Sequence, residues 1–215
     1  MNKKVLSNLI WRLLERCGAQ GVTLIVSVIL ARLLAPSDYG VISLIMVFIT
    51  ILEVFIDSGL GNALIQKKDA DEIDFSTVFY FNLGMCSILY IGLFTMAPVI
   101  ANFYSNDVLV LVIRVLGMSL LISGLKNVQQ AYVSRNLIFK KFFFATIGGT
   151  VTSAVIGIVI AYLGGGVWAL VFQGLSNQLI DTMILWIIVK WRPVKVFSWR
   201  RFKKLFSYAW KLLVS

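Results

Sequence analysis

Charged and amide side chains recur at helical spacing inside long apolar runs, and these are the residues that could do chemistry. Arg12, Arg16, Gln20, Thr23 and Ser27 follow at intervals of three and four, so on a helix they form one stripe, with Glu15 beside Arg12. A guanidinium in such a stripe suits forked hydrogen bonds to a phosphate from a cavity wall. The same arginines could equally snorkel toward lipid headgroups, Glu15 neutralising one of them. Glu53 and Asp57, four apart, share a face; they are a candidate cation or proton site, or the acidic half of an ion network with the arginines of the first helix. Ser119, Ser123, Lys126 and Gln130 make another stripe, with Arg114 toward its far end. Lys126 is either a contact for a ligand's head group or a second snorkelling residue. Gln173, Asn177 and Asp181, with Gln178 adjacent, form a polar rail that is too costly to leave in lipid. The rail therefore faces the protein interior, bonding to other helices or to a hydroxylated ligand, and Asp181 joins Glu53 and Asp57 as an ion-coupling candidate.

The elements that carry these residues are long and apolar. Of 215 residues, 59% are hydrophobic and 14% charged, and mean hydropathy is +0.88; soluble domains carry roughly a quarter charged residues. Crossing ~30 Å of hydrocarbon takes about 20 apolar residues at 1.5 Å each, and runs of that kind occupy 9–33, 41–66, 77–101, 108–132, 142–163 and 167–189. They lack period-two alternation and must satisfy their own backbone in lipid, so they are helices. The expected fold is an all-α membrane protein, a six-transmembrane-helix bundle over residues 1–189. Pro36-Ser37-Asp38, the charged run Lys67 to Asp74, Asn102 to Asp107 and Gly164-Gly165-Gly166 separate the runs. The fifth run carries Gly148, Gly149, Ser153, Ala154 and Gly157, a small-residue face for close helix approach. Residues 190–204 form a basic amphipathic linker with Trp191, Trp199 and Phe202, and 205–215 resemble the start of a truncated seventh helix.

Orientation follows from the basic residues. Lys3 and Lys4, Lys67 and Lys68, Arg135, Lys140 and Lys141, and the cluster from Lys190 to Lys204 fall on one side, against Arg32 on the other. The positive-inside rule makes that side, and the N-terminus, cytoplasmic. The net charge of +10 is thus a topology signal and an attraction to anionic membrane lipids; its dispersal among the spans argues against nucleic acid. No cleavable leader is expected, because apolar runs recur through the whole chain. Cys17 and Cys86 lie within spans and are read as packing residues. There is no histidine, metal-ligand cluster, phosphate-binding loop or activated nucleophile. No enzyme activity, cofactor or metal is expected.

Several segments together carry a family resemblance. They are Ala31 to Gly40 (ARLLAPSDYG), Asp57 to Gln66 (DSGLGNALIQ), Asp74 with Thr77-Val78-Phe79, Val128-Gln129-Gln130, Arg135 with Phe139-Lys140, and Gly166-Val167-Trp168-Ala169-Leu170. As a set, the chain resembles the Wzx-type branch of the multidrug/oligosaccharidyl-lipid/polysaccharide exporter superfamily. The resemblance implies two six-helix lobes in a V, this chain being the N-terminal lobe and linker, in the bacterial cytoplasmic membrane. It implies translocation of a polyprenyl-diphosphate-linked oligosaccharide by alternating access, with polysaccharide polymerase or assembly proteins as further partners. Arg12, Arg16, Gln20, Lys126, Gln130, Gln173 and Asn177 are then the expected cavity residues. A cation-coupled drug exporter of the same superfamily and a non-transporting membrane scaffold for glycan assembly stay open beside it.

Overall fold

The ends of each helix are set by local chemistry. Pro36 opens α2 (Pro36–Ile56), where its missing N–H costs nothing, and Asp38 Oδ2 accepts from the Ala35 amide at 3.2 Å across the turn from α1 (Lys3–Leu33). Gly59, at φ 71, admits the chain to the short α3 (Leu60–Gln66). Asp71 and Asp74 form a reciprocal capping box at the start of α4 (Glu72–Phe103). Ser105, left-handed at φ 51, closes α4 before α5 (Val108–Arg135). After α6 (Phe139–Tyr162), Gly164 at φ 78 lets Gly165 N–H reach Ile160 O and its own N–H reach Ala161 O, a Schellman closure ahead of α7 (Val167–Ile188). A non-helical stretch then leads to α8 (Trp199–Val214). This is a computed structural model describing residues 3–56, 59–67, 69–136 and 138–214, among which no strand occurs.

The expected helices are present, with three revisions. The single helix expected over 41–66 is two, α2 and α3, with Gly59 left-handed ahead of the second. The third run begins at Glu72 rather than 77, because the capping box extends it by more than a turn. α8 begins at Trp199, inside the stretch read as linker, and continues unbroken past 204. Among the described residues, five stretches are long and apolar enough to cross a membrane: Leu13–Leu33, Pro36–Gln66, Glu72–Phe103, Val108–Arg135 and Phe142–Tyr162. The protein is a multi-pass, all-α membrane protein. At 22 residues α7 is long enough as well, but Gln173, Ser176, Asn177, Gln178 and Asp181 dilute its apolar character.

Packing follows membrane rules, in which close approach of small residues replaces hydrophobic drive. A Cβ on Gly149 would sit 3.0 Å from the carbonyl oxygen of Asn177, and one on Gly157 would sit 2.9 Å from Gln173 Cβ, so the small face of α6 is pressed against α7. α4 and α5 meet likewise, with Cys86 over Gly124. Cys86 is a buried packing residue, whereas Cys17 is exposed and does not pack as expected. α1 lies along α6 through Val26, Leu30 and Ala154. The apolar core is divided. One cluster, with Ile45, Leu93, Ile113 and Val171, joins α2, α4, α5 and α7. A second, with Leu64, Phe79, Val128 and Phe202, joins α3, α4, α5 and α8 with Ala145 of α6 and Leu185 of α7 at the end bearing the basic loops, and a third holds α1 to α6 and α7. Large apolar side chains such as Val54, Ile88, Val99 and Ile187 point outward, as lipid requires.

Candidate functional site

A polar groove borders the first two apolar clusters, touching Ile56 of one and Ala131 of the other. Its first part, about 290 Å³, is bounded by Gly61 and Asn62 of α3, Asn82 of α4, and Asn127, Gln130 and Ser134 of α5. Its second part, about 280 Å³, is bounded by Glu53 of α2, Ser123, Lys126, Asn127 and Gln130 of α5, and Gln178 of α7. The two share Ile56, Asn127 and Gln130 and are one continuous recess.

Lys126 and Asp181 are joined across the α5–α7 contact, Nζ to Oδ2 at 2.5 Å, with Asp181 almost wholly buried. Lys126 is therefore not a free head-group cation, and it does not snorkel. Its charge is matched inside the protein, as burial demands. Asp181 Oδ1 is buried without a hydrogen-bond partner, as are Gln178 Oε1 and Asn82 Oδ1. Ser123 Oγ donates to Glu53 Oε1 at a long 3.5 Å, linking α2 to α5.

The expected site residues divide into two groups. Glu53, Lys126 and Gln130 meet in the groove, and Asp181 joins them through Lys126. Arg16 and Gln20 do not. They are exposed on α1, as are Thr23 and Ser27, on a face that α6 leaves uncovered. Glu15 accepts from Thr146 of α6 at 3.4 Å. Gln173 and Asn177 line neither part of the groove; their backbones and stems pack on the glycines of α6, the helix-to-helix role left open above. The side chain of Arg12 and all of Asp57 lie outside the described residues. Asn62, Asn82 and Asn127 are groove residues that sequence reasoning passed over. Asn82 is a lone amide in an apolar run, which must find water or a partner, whereas Asn127 sits among Lys126, Gln129 and Gln130.

Some residues of the resemblance segments fasten the two ends of the bundle, while Gly61, Asn62 and Gln130 of the same set line the groove. At the basic end, Asp74 is fully buried and ion-paired to Lys67, while Arg201 of α8 bridges Asp71 and lies 3.4 Å from Asp74. The Arg201 guanidinium hydrogen-bonds Asp71 and holds that carboxyl below its ordinary range; Arg201 is raised in return. Arg135 Nη1 donates to Leu64 O at 2.7 Å and also to Lys67 O, closing the end of α3. Ser76 and Thr77 hydroxyls accept from the Val194 and Ser198 amides, and Gln129 donates to Trp191 O, so the 189–198 stretch is stitched to α4 and α5. At the opposite end, Asp38, Asn106 and Gly164 to Trp168 enclose a recess of about 410 Å³, where a Cβ on Gly166 would lie 3.4 Å from Asp38.

A family model described as "Polysaccharide biosynthesis protein" matches residues 29–215, which include every one of these segments. The chain belongs to that family. Among curated relatives, the succinoglycan biosynthesis transport protein ExoT of Rhizobium meliloti (strain 1021) is 24% identical over 99% of this chain and 43% of its own length. The teichuronic acid biosynthesis protein TuaB of Bacillus subtilis (strain 168) is 29% identical over 73% of this chain and 33% of its own. The lipopolysaccharide biosynthesis protein WzxC of Escherichia coli (strain K12) is 22% identical over 86% and 37%. The chain thus spans less than half the length of these relatives. No solved structure matches it.

Proposed function

We propose that this chain is the N-terminal six-helix half of a two-lobed carrier that moves a polyprenyl-diphosphate-linked oligosaccharide across the bacterial cytoplasmic membrane by alternating access. The observation that carries the reading is the polar groove cut between helices that cross lipid. Such a recess is costly in a scaffold and necessary in a carrier whose polar cargo must traverse hydrocarbon. The relatives' names, which include a transport protein and biosynthesis proteins for three different polymers, support it. On this reading the protein is a carrier and not an enzyme. The uncovered stripe of α1, with Arg16 about one turn inside the span and Gln20 a turn deeper, lines the path and offers the guanidinium to the diphosphate. The basic end faces the cytoplasm by the positive-inside rule.

The test is export by the full-length parent in a strain lacking it, with membrane abundance measured alongside. Gln130→Trp, which fills the groove, is expected to abolish export at normal abundance. Arg16→Ala should impair it more than Arg16→Lys. Undiminished export with Gln130→Trp would remove the groove from the mechanism and restore the scaffold reading. A second reading, cation coupling, draws on Glu53 in the groove wall and the unpartnered Oδ1 of buried Asp181. It expects Glu53→Gln and Asp181→Asn to uncouple export from a proton or sodium gradient.

A further inference from the structure

Three observations bear on which part of a lipid-linked glycan the groove can hold. The first is charge. Among the residues lining the groove there is one ammonium, Lys126, already held by Asp181 behind it, and one carboxylate, Glu53. A diphosphate entering here would meet, among those lining residues, no ammonium that is not already ion-paired, and that pair would have to break to serve it. The second is the lining. Asn62, Asn82, Asn127, Gln130 and Ser134 bound the first part, and each amide or hydroxyl both donates and accepts, the pattern a sugar hydroxyl also presents. The third is unmet demand. Asn82 is 3% exposed, yet its Oδ1 has no partner; Gln178 Oε1 is likewise buried and unpartnered on the second part of the groove. Both are acceptors, and both call for a neutral O–H or N–H donor rather than for an anion.

We infer that the groove formed by α2, α3, α4, α5 and α7 is a subsite for a neutral, hydroxyl-bearing sugar of the carried lipid, and that the diphosphate is held elsewhere. The inference rests on the carrier reading given above. It assigns Asn82, Asn127 and Gln130 as residues that read the glycan, and Lys126 as a positioning residue that fastens α5 to α7 behind them. Each part of the groove, at about 280 to 290 Å³, lies at the small end of ligand pockets, which run from roughly 300 Å³ upward. That size suits one or two sugar units at a time and not an entire repeat.

The experiment uses the purified full-length parent in detergent and two defined probes, undecaprenyl diphosphate and undecaprenyl diphosphate bearing a single neutral hexose, with binding read by native mass spectrometry. The wild type is expected to hold the hexose-bearing lipid about tenfold more tightly than the bare one. Asn127→Ala/Gln130→Ala should lose that preference and keep its affinity for the bare lipid, which also reports that it is folded. Gln130→Met, nearly isosteric, should lose part of it. Equal binding of both probes by the wild type would overturn the sugar subsite and leave the carrier reading standing. Binding of neither probe by the wild type would overturn both. Parallel loss of both lipids in both variants would show that the groove holds the diphosphate, and would overturn the inference.

Discussion

The Lys126–Asp181 pair shows how membrane depth decides what a charge does. Two ions at that depth gain Coulomb energy from each other and lose hydration, and the balance depends on how much water reaches them. Lys126 keeps 19% of its side chain exposed toward the groove and Asp181 only 5%, so the acid depends on its partner more than the base does. Removing either partner strands the other. Lys126→Met and Asp181→Leu are each expected to lower the stability of the detergent-solubilised protein by about 3 kcal/mol, and the double variant to recover most of the loss. Thermal melting of the two singles and the double measures this; additive losses would mean that the ions are not coupled. The stripe containing Lys126 and the rail containing Asp181 were both legible in the sequence, since each is a matter of spacing along one helix. Their union was not, because nothing local to α5 says which helix it meets. The same limit explains why Gln173 and Asn177 read as cavity residues although the stem of Gln173 packs on Gly157 and the backbone of Asn177 on Gly149. A polar rail announces that it is covered without saying by what.

Among the elements, α8 and the stretch before it depart most from expectation. The boundary set at 204–205 came from composition, where the basic residues end and the apolar ones resume. The helix ignores that change because its two faces run the whole length: Phe202, Leu205 and Ala209 are buried, while Arg200, Lys203 and Lys204 face out. Its docking is made by Arg201 on Asp71, the N-cap of α4, and by the Val194 and Ser198 amides on Ser76 and Thr77. Because the Arg201 hydrogen bond holds the Asp71 carboxyl below its ordinary range, the tether is complete above the usual aspartate pKa of about 3.9. It is lost as pH falls through the lowered value. Protection of α8 amides against hydrogen exchange, taken relative to the intrinsic rate at each pH, is therefore expected to fall in acid below about pH 4, and Asp71→Asn should show the reduced protection at all pH values. An α8 whose exchange followed only the intrinsic chemical rate, with no difference between wild type and variant, would show that Asp71 does not hold it. Asp74 and Thr77 belong to the segments that carried the family resemblance, yet each fastens the end of the bundle rather than touching the groove. Asn62 and Gln130 of the same set do line the groove, so the motif residues mark both a fastened end of the fold and the site.

For the whole molecule, the dominant asymmetry is charge. The turns after α1, α4 and α6 meet at an end whose recess has Asp38 and Asn106 in its wall, whereas the opposite end carries Lys67, Arg135, Arg192 and the exposed Arg200, Lys203 and Lys204 of α8. The sequence pattern displayed this sidedness fully, since the number of basic residues per loop needs no tertiary information. What it lacked was the depth at which they sit. Exposed Val194, Val196, Phe197 and Trp199 lie on the same segment as the lysines and arginines, with Lys203 Nζ 5.8 Å from the Trp199 ring centroid. Aromatic and aliphatic groups next to ammonium groups are the signature of a surface lying in the headgroup layer. Each basic residue there gains about 1 kcal/mol from an anionic leaflet, and salt screens the gain over a Debye length of about 10 Å at 0.1 M. In nanodiscs containing phosphatidylglycerol, exchange of α8 amides should be slower than in pure phosphatidylcholine, and the difference should shrink as salt is raised. The triple variant Arg200→Gln/Lys203→Gln/Lys204→Gln should show no lipid dependence and keep the pH dependence set by Asp71, since Arg201 is untouched. The two effects separate because one belongs to contacts within the bundle and the other to the bilayer. If the triple variant responded to phosphatidylglycerol as the wild type does, α8 would be held by protein alone, and the net charge of +10 would serve only to orient the chain.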